Sequence, residues 1–150
     1  SRVAEECAAM RQLCVLLIEE QANLRAANAS ACEALLPIKA ALVAQLGDLA
    51  EQRYKQLGTV GYSADEAGMQ QWRVSAHAQA AAGRNAEWES LLALTREAHA
   101  LNQVNGRLLQ QLLSLNQAAL QQLARTTMTD IYGPAGESQA IAVRSPRAVG

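Results

Sequence analysis

The sequence predicts an all-α fold: an antiparallel helical bundle of three long helices plus a shorter one, with an irregular C-terminal tail. Half of the 150 residues are hydrophobic, yet the apolar inventory is Ala and Leu with no Phe, whereas strands favour β-branched and aromatic side chains. Large apolar residues recur at alternating spacings of three and four, as on one face of a helix. A chain of this length can bury roughly 68 to 70% of its unfolded surface, enough for one core. The expected domains are a bundle over residues 1–126 and a flexible tail over 127–150 that takes part in partner binding.

The first helix runs from Arg2 to about Asn28, with Val3, Cys7, Met10, Cys14, Leu17 and Leu24 on one stripe broken only by Gln21. Leu13, Leu16 and Ile18 widen that stripe beyond a two-helix seam, as contact with two bundle neighbours requires. Ala27 to Ser30 reads as a turn, and Ser30 with Glu33 as a capping box for the second helix. Pro37 is expected to kink or delay that helix, because proline removes a backbone donor. The stripe then runs through Leu35, Ile38, Leu42, Leu46, Leu49 and Leu57 and stops at Gly58 and Gly61.

The stretch from Ser63 to about Gly83 opens with a Ser63 and Glu66 capping pair. It offers only Met69, Trp72 and Val74 before an Ala tract, so a shorter, weaker helix is expected. The strongest pattern lies between Asn85 and about Thr126. Trp88, Leu91, Thr95, Ala98, Asn102, Asn105, Leu109, Leu112, Asn116, Ala119 and Leu123 keep a strict three-four alternation, over roughly 60 Å at 1.5 Å per residue. Asn105-Gly106 is a favoured hairpin dipeptide, but a loop would reset the helical phase and the phase continues unbroken. An internal Gly at about 1 kcal/mol is the smaller cost. After Thr126 the pattern gives way to Gly133, Pro134, Gly136 and Pro146 among small and polar residues, which cannot fold alone.

Composition and motifs exclude several classes. Net charge is −1 and no run of Lys or Arg appears, so no footprint for nucleic acid or an anionic membrane is present. Uninterrupted apolar runs such as Cys14 to Ile18 fall far short of a bilayer span. The first ten residues carry Glu5 and Glu6 and lack a basic region followed by a hydrophobic one, so no secretory signal is expected. Cys7, Cys14 and Cys32 are odd in number and lack CxxC spacing, which favours reduced, packed thiols in a cytoplasmic protein. Bundle metal sites use Glu-x-x-His pairs. His77 has no Glu three residues before it, and His99 has Arg96 there. Glu5, Glu6, Glu19, Glu20, Asp48, Glu51 and Glu97 read as a solvated face. No GxGxxG, Walker-type loop or GxSxG elbow occurs, so neither an enzyme nor a cofactor is expected.

Asn102, Asn105 and Asn116 occupy seam positions of the last helix. A buried Asn can fix helix register at a cost in stability. Alternatively this seam is not permanently covered, and a partner helix docks on Leu108, Leu109, Leu112, Leu113 and Leu120. Gly106 tilts the balance toward docking, because a missing side chain admits another backbone.

Leu101-Asn102-Gln103-Val104-Asn105-Gly106-Arg107-Leu108-Leu109 matches an N-x-x-N-G-x-L-[IL] core, and Tyr132-Gly133-Pro134-Ala135-Gly136 a Tyr-Gly-x-x-Gly tail element. With these, the chain resembles the FlgN-type flagellar export chaperones. Leu13, Leu16, Leu17, Glu20 and Leu24 look like the family's first helix, and Lys39, Leu46, Leu49, Arg53, Leu57 and Gly58 like its second. Gly61 to Gly83 aligns with nothing in it. The resemblance implies a cytoplasmic chaperone that binds the amphipathic C-terminal helices of the hook-filament junction proteins FlgK and FlgL. It implies delivery to the export gate protein FlhA, with Tyr132 as the gate contact. Expected client contacts are Asn102, Asn105, Gly106, Leu108, Leu109, Leu112, Leu113 and Leu120. The competing readings are a self-associating structural or adaptor bundle and a bundle metalloenzyme.

Overall fold

A computed structural model describes residues 2–75 and 82–132, with side chains described for 2–75 and 85–126. Four helices and no strand occur among these residues: α1 (Arg2–Arg25), α2 (Ala29–Thr59), α3 (Glu66–Arg73) and α4 (Ala82–Tyr132). The all-α bundle expected from the sequence is the observed fold, with three long helices and one short. The chain divides into two compact units, Ser1–Leu108 and Leu109–Gly150.

Helix directions in the first unit follow from the polar contacts. Arg53 of α2 donates to both carboxylate oxygens of Glu6 on α1, from Nε at 2.9 Å and Nη2 at 3.2 Å. Lys39 Nζ reaches both oxygens of Glu20, at 3.2 and 3.3 Å. The partner of the earlier α1 residue is the later α2 residue, so the two helices are antiparallel. Along α4 the order is the same as along α1. Cys7 Sγ donates to the Glu87 carbonyl at 3.3 Å, Cys14 Sγ to that of Leu94 at 3.6 Å, and Asn105 Nδ2 to that of Leu17 at 2.9 Å. Helices α1 and α4 are therefore parallel.

Two apolar clusters fill this unit. Leu13, Cys14, Leu16, Leu17, Leu35, Leu42 and Ala98 form one; Cys7, Leu57, Met69, Trp88 and Leu91 form the other. Met10 and Leu94 pack against both and join them.

Several local expectations are corrected. Helix α2 is capped not by Ser30 but by Asn28, whose side chain accepts from the Ala31 amide at 3.2 Å. Ala27 precedes it at φ 51°, a left-handed conformation that ends α1 before Asn28. Pro37 does not interrupt α2, although a proline in a helix interior lacks the backbone donor and crowds the carbonyl four residues before it. Ile38 and Ile18 are exposed. Ile38 sits at the edge of the arc carrying Leu35, Leu42 and Leu49, and the α1 face widens toward Ala9 and Leu16 instead of Ile18. The cap of α3 is Asp65, which accepts from the Gly68 amide at 2.8 Å, while Ser63 Oγ donates to Asp65 Oδ1 at 2.7 Å. A Cβ at Gly68 would lie 1.8 Å from the Ser63 carbonyl oxygen, so this close approach requires glycine. In α3 Met69 is buried, while Val74, the cap that follows its last residue, is exposed.

Helix α4 continues through Asn105-Gly106, as the unbroken phase predicts, and runs to Tyr132 instead of ending near Thr126. The threonines after position 125 cost only rotamer freedom; the first strong breaker is Gly133-Pro134. Residues 133–150, the remainder of the expected tail, lie outside the described residues, as do the Ala tract at 76–81 and His77.

Helix α2 also qualifies the reading of bilayer-spanning length. No single apolar run is long, but an 18-residue window of mean hydropathy 1.3 makes it long and apolar enough, by length and composition, to cross a bilayer. Within the bundle its Lys39 and Arg53 pair with acids of α1.

The acids meet a larger correction. Glu6 and Glu20 are 2% and 7% exposed and belong to the interior, not to a solvated face. Breaking one buried partner strands the other charge. Arg53→Met is expected to lower unfolding stability by about 3–5 kcal/mol, and Glu6→Leu combined with Arg53→Met to recover most of it; urea denaturation followed by circular dichroism measures both. Burial also raises the Cys7 and Cys14 thiol pKa values, more than Arg11 lowers that of Cys7. Both thiols should resist Ellman's reagent in the folded chain while the half-buried Cys32 reacts. A thiol whose folded pKa is raised stays neutral while the unfolded one ionises, so stability should hold up to about pH 8.5 and fall above it.

Candidate functional site

The residues singled out for binding all lie on α4, but the structure gives them two different environments. Asn105 is 3% exposed. Its amide donates one hydrogen to the Leu17 carbonyl and the other to Glu20 Oε1, both at 2.9 Å, which uses its full donor capacity. Its Oδ1 has no partner. Asn102 is exposed at its rim, but its Oδ1 accepts from Lys39 Nζ at 3.2 Å. Lys39 thus spends three donors on Glu20 and Asn102, and Glu20 accepts from α2 and α4 at once. These two asparagines are knotted into the first unit, the arrangement expected of register control. Gly106 is exposed, and a Cβ there would meet nothing within 4 Å, so no close backbone approach uses it in the chain itself. Leu108 is half-buried.

The second unit begins at Leu109, and its described side chains are different in kind. Leu109 is 48% exposed, Leu113 58% and Leu120 52%, while Leu112 is half-buried. At 3.6 residues per turn these four fall within an arc of roughly 100°, and Asn116 lies inside the same arc and is exposed. The result is a leucine stripe presented on a helix surface. The backbone of Tyr132 is the last residue of α4; its side chain lies outside those described.

Among the described residues no group of His, Cys, Asp or Glu could hold a metal ion. His99 is exposed, with a ring nitrogen 3.2 Å from Gln103 Nε2. The sequence reading missed the four-residue ionic framework of Glu6, Glu20, Lys39 and Arg53. A signal for it exists. Glu6, Leu13 and Glu20 recur every seven residues on α1, and Lys39, Leu46 and Arg53 do so on α2, with opposite charges at the matching ends.

A helical bundle with an Asn-Gly step inside its longest helix and leucines displayed beyond it narrows the family. The family model described as FlgN protein matches residues 1–140. The chain belongs to the FlgN family. That membership makes it a flagellar export chaperone in general terms, and it accords with the resemblance carried by the Asn-Gly core and the Tyr-Gly element. No curated protein and no solved structure gives a significant match. In this FlgN protein the Asn-Gly core serves packing on one side and adjoins the leucine stripe in sequence on the other.

Exchanging the Asn105 amide separates its roles. Asn105→Ala removes two buried hydrogen bonds and should cost about 1–3 kcal/mol. Asn105→Asp, which sets a carboxylate against Glu20 and the Leu17 carbonyl, should cost more than about 3 kcal/mol. Thermal and urea unfolding of the two variants check the order; equal stability of Asn105→Asp and the parent would contradict the register role.

Proposed function

We propose that this chain binds the amphipathic C-terminal helices of the hook-filament junction proteins FlgK and FlgL on the Leu109–Leu120 stripe, in the cytoplasm. It keeps them unpolymerised and hands them to FlhA at the export gate through Tyr132 and the tail. The observation that carries the reading is the exposure of Leu109, Leu113 and Leu120 on one face of α4 in a member of an export-chaperone family. An amphipathic client helix lays its apolar face against such a surface through anchors at i, i+3, i+4 and i+7, and Leu109, Leu112 and Leu113 stand at the first three of those positions, with the polar Asn116 at the fourth. Release needs no hydrolysis by the chain itself. A complex that spends interaction energy on ordering a partner segment stays reversible.

Because Leu109 and Leu113 are already half exposed, charging them removes client contacts without opening the core. Leu109→Asp and Leu113→Asp should each weaken binding to C-terminal FlgK or FlgL peptides more than about tenfold, or 1.4 kcal/mol, with the helical circular dichroism signal unchanged. Calorimetry at tens of micromolar reads the loss. No heat from the parent chain would end the proposal, and a fixed, concentration-independent oligomer by light scattering would favour a self-associating scaffold. Tyr132→Ala should leave client affinity intact and weaken FlhA capture; lost client affinity instead would place Tyr132 on the client surface.

A further inference from the structure

Asn116 stands in the leucine stripe where an apolar side chain would give a partner helix more to bury. Helix α4 itself shows what an asparagine at that phase does. Asn105 lies eleven residues earlier, three helical turns back and within about 20° of the same direction. There the amide is 3% exposed and ties α4 to α1, with both donor hydrogens spent on the Leu17 carbonyl and Glu20 Oε1. Asn116 presents the same group at an exposed position of the second unit.

The residues around Asn116 give charge no part in choosing a partner. Residues 108–124 contain no Asp, Glu, Lys, Arg or His. Paired helices select partner and alignment through charged residues flanking the apolar seam, or through a single polar residue within it. Here the flank beside Leu113 is Gln110, Gln117 and Gln121, so the first device is missing and Asn116 supplies the second. Its surroundings also restrict what can face it. The nearest charges in sequence are Arg107 and Arg125, each nine residues away, about 14 Å along the axis. A carboxylate or ammonium laid over Asn116 would therefore be covered without a counter-ion. An apolar side chain would cover the Asn116 amide and leave it unpaired. A second amide carries both donor and acceptor, so two of them facing each other satisfy one another.

We propose that the stripe selects a helix whose leucine-type seam is interrupted by one Asn or Gln, which pairs with the Asn116 side chain and sets the register of the bound helix. This selection rests on the stripe being the client surface, as proposed above, and adds what the client must carry. The leucines alone would accept a helix displaced by one turn almost as well. A displaced helix leaves two covered amides unpaired, so the amide pair fixes the alignment.

The test compares the full-length chain with Asn116→Leu by calorimetry. The probes are the C-terminal helix peptides of FlgK and FlgL and an amidated helix of about 21 residues with leucine at every seam position and glutamine or lysine elsewhere. Because Asn116 is exposed, the variant should keep the parent circular dichroism signal. It should bind the client peptides more weakly and the all-leucine helix more tightly, moving the ratio of the two affinities by at least about tenfold. Client affinity of the parent should change less than about threefold between about 0.05 and about 0.5 M sodium chloride. A ratio that moves less than about twofold, all probes weakened alike, or a client affinity that falls tenfold or more with salt would each overturn the selection while leaving the client surface in place. No heat from the parent chain with either client peptide would instead remove the client surface, and the selection with it.

Discussion

Helices α1 and α2 are locked by two mirrored heptads, Glu6, Leu13 and Glu20 facing Arg53, Leu46 and Lys39, and the rest of the first unit is built on that lock. Glu6 and Glu20 are buried, and each meets one base at hydrogen-bonding distance. Ion pairs of this kind add little net stability, because desolvation offsets attraction. What they supply is selectivity. Sliding α2 along α1 by one turn would leave two buried carboxylates and two cations unmatched, whereas the leucines between them would pack almost as well in either register. Asn105 then hangs α4 on the same framework through Glu20 and the Leu17 carbonyl, so one carboxylate aligns all three long helices.

That framework explains why a helix of 51 residues can change character midway without changing phase. In the first unit, the inward positions of α4 are Trp88, Leu91, Ala98 and Asn105, all buried. The same periodic positions continue as Leu109, Leu112 and Leu113, where Leu109 and Leu113 are about half exposed and Leu112 is less covered than the buried core. Periodicity is a property of the chain, and burial a property of what lies opposite. A family of export chaperones has use for such a division, since the bundle fixes the helix while the outer leucines stay available.

This division also marks what the sequence makes legible. Helix number, the uninterrupted passage through Asn105-Gly106 and the stop at Gly58 and Gly61 follow from spacing and breakers, which act locally. The caps did not follow. Ser30 and Ser63 match the capping pattern, but Asn28 and Asp65 lie two residues from them and take the role through contacts to Ala31 and Gly68. A pattern that tolerates several polar residues in a row cannot choose among them. Glu6 and Glu20 were misplaced on the solvent side for a different reason: a carboxylate is assigned outward by its own chemistry, and only the matching bases fourteen residues apart on another helix reverse that. Asn105 stood between two readings because one residue type serves both, and its contacts with Leu17 and Glu20 are not visible along one helix.

The asymmetry between the two α4 segments bears on affinity as well as on location. A leucine gains about 1.5–3 kcal/mol on complete burial, and one that is already half covered has only about half of that left to give. Leu109, Leu113 and Leu120 at that exposure, with the more covered Leu112, cannot alone outweigh the rotational and translational freedom lost on association. On the proposed reading, a stripe of this size recognises without trapping, and added affinity must come from length: more of the partner helix, or a second contact elsewhere on the chain.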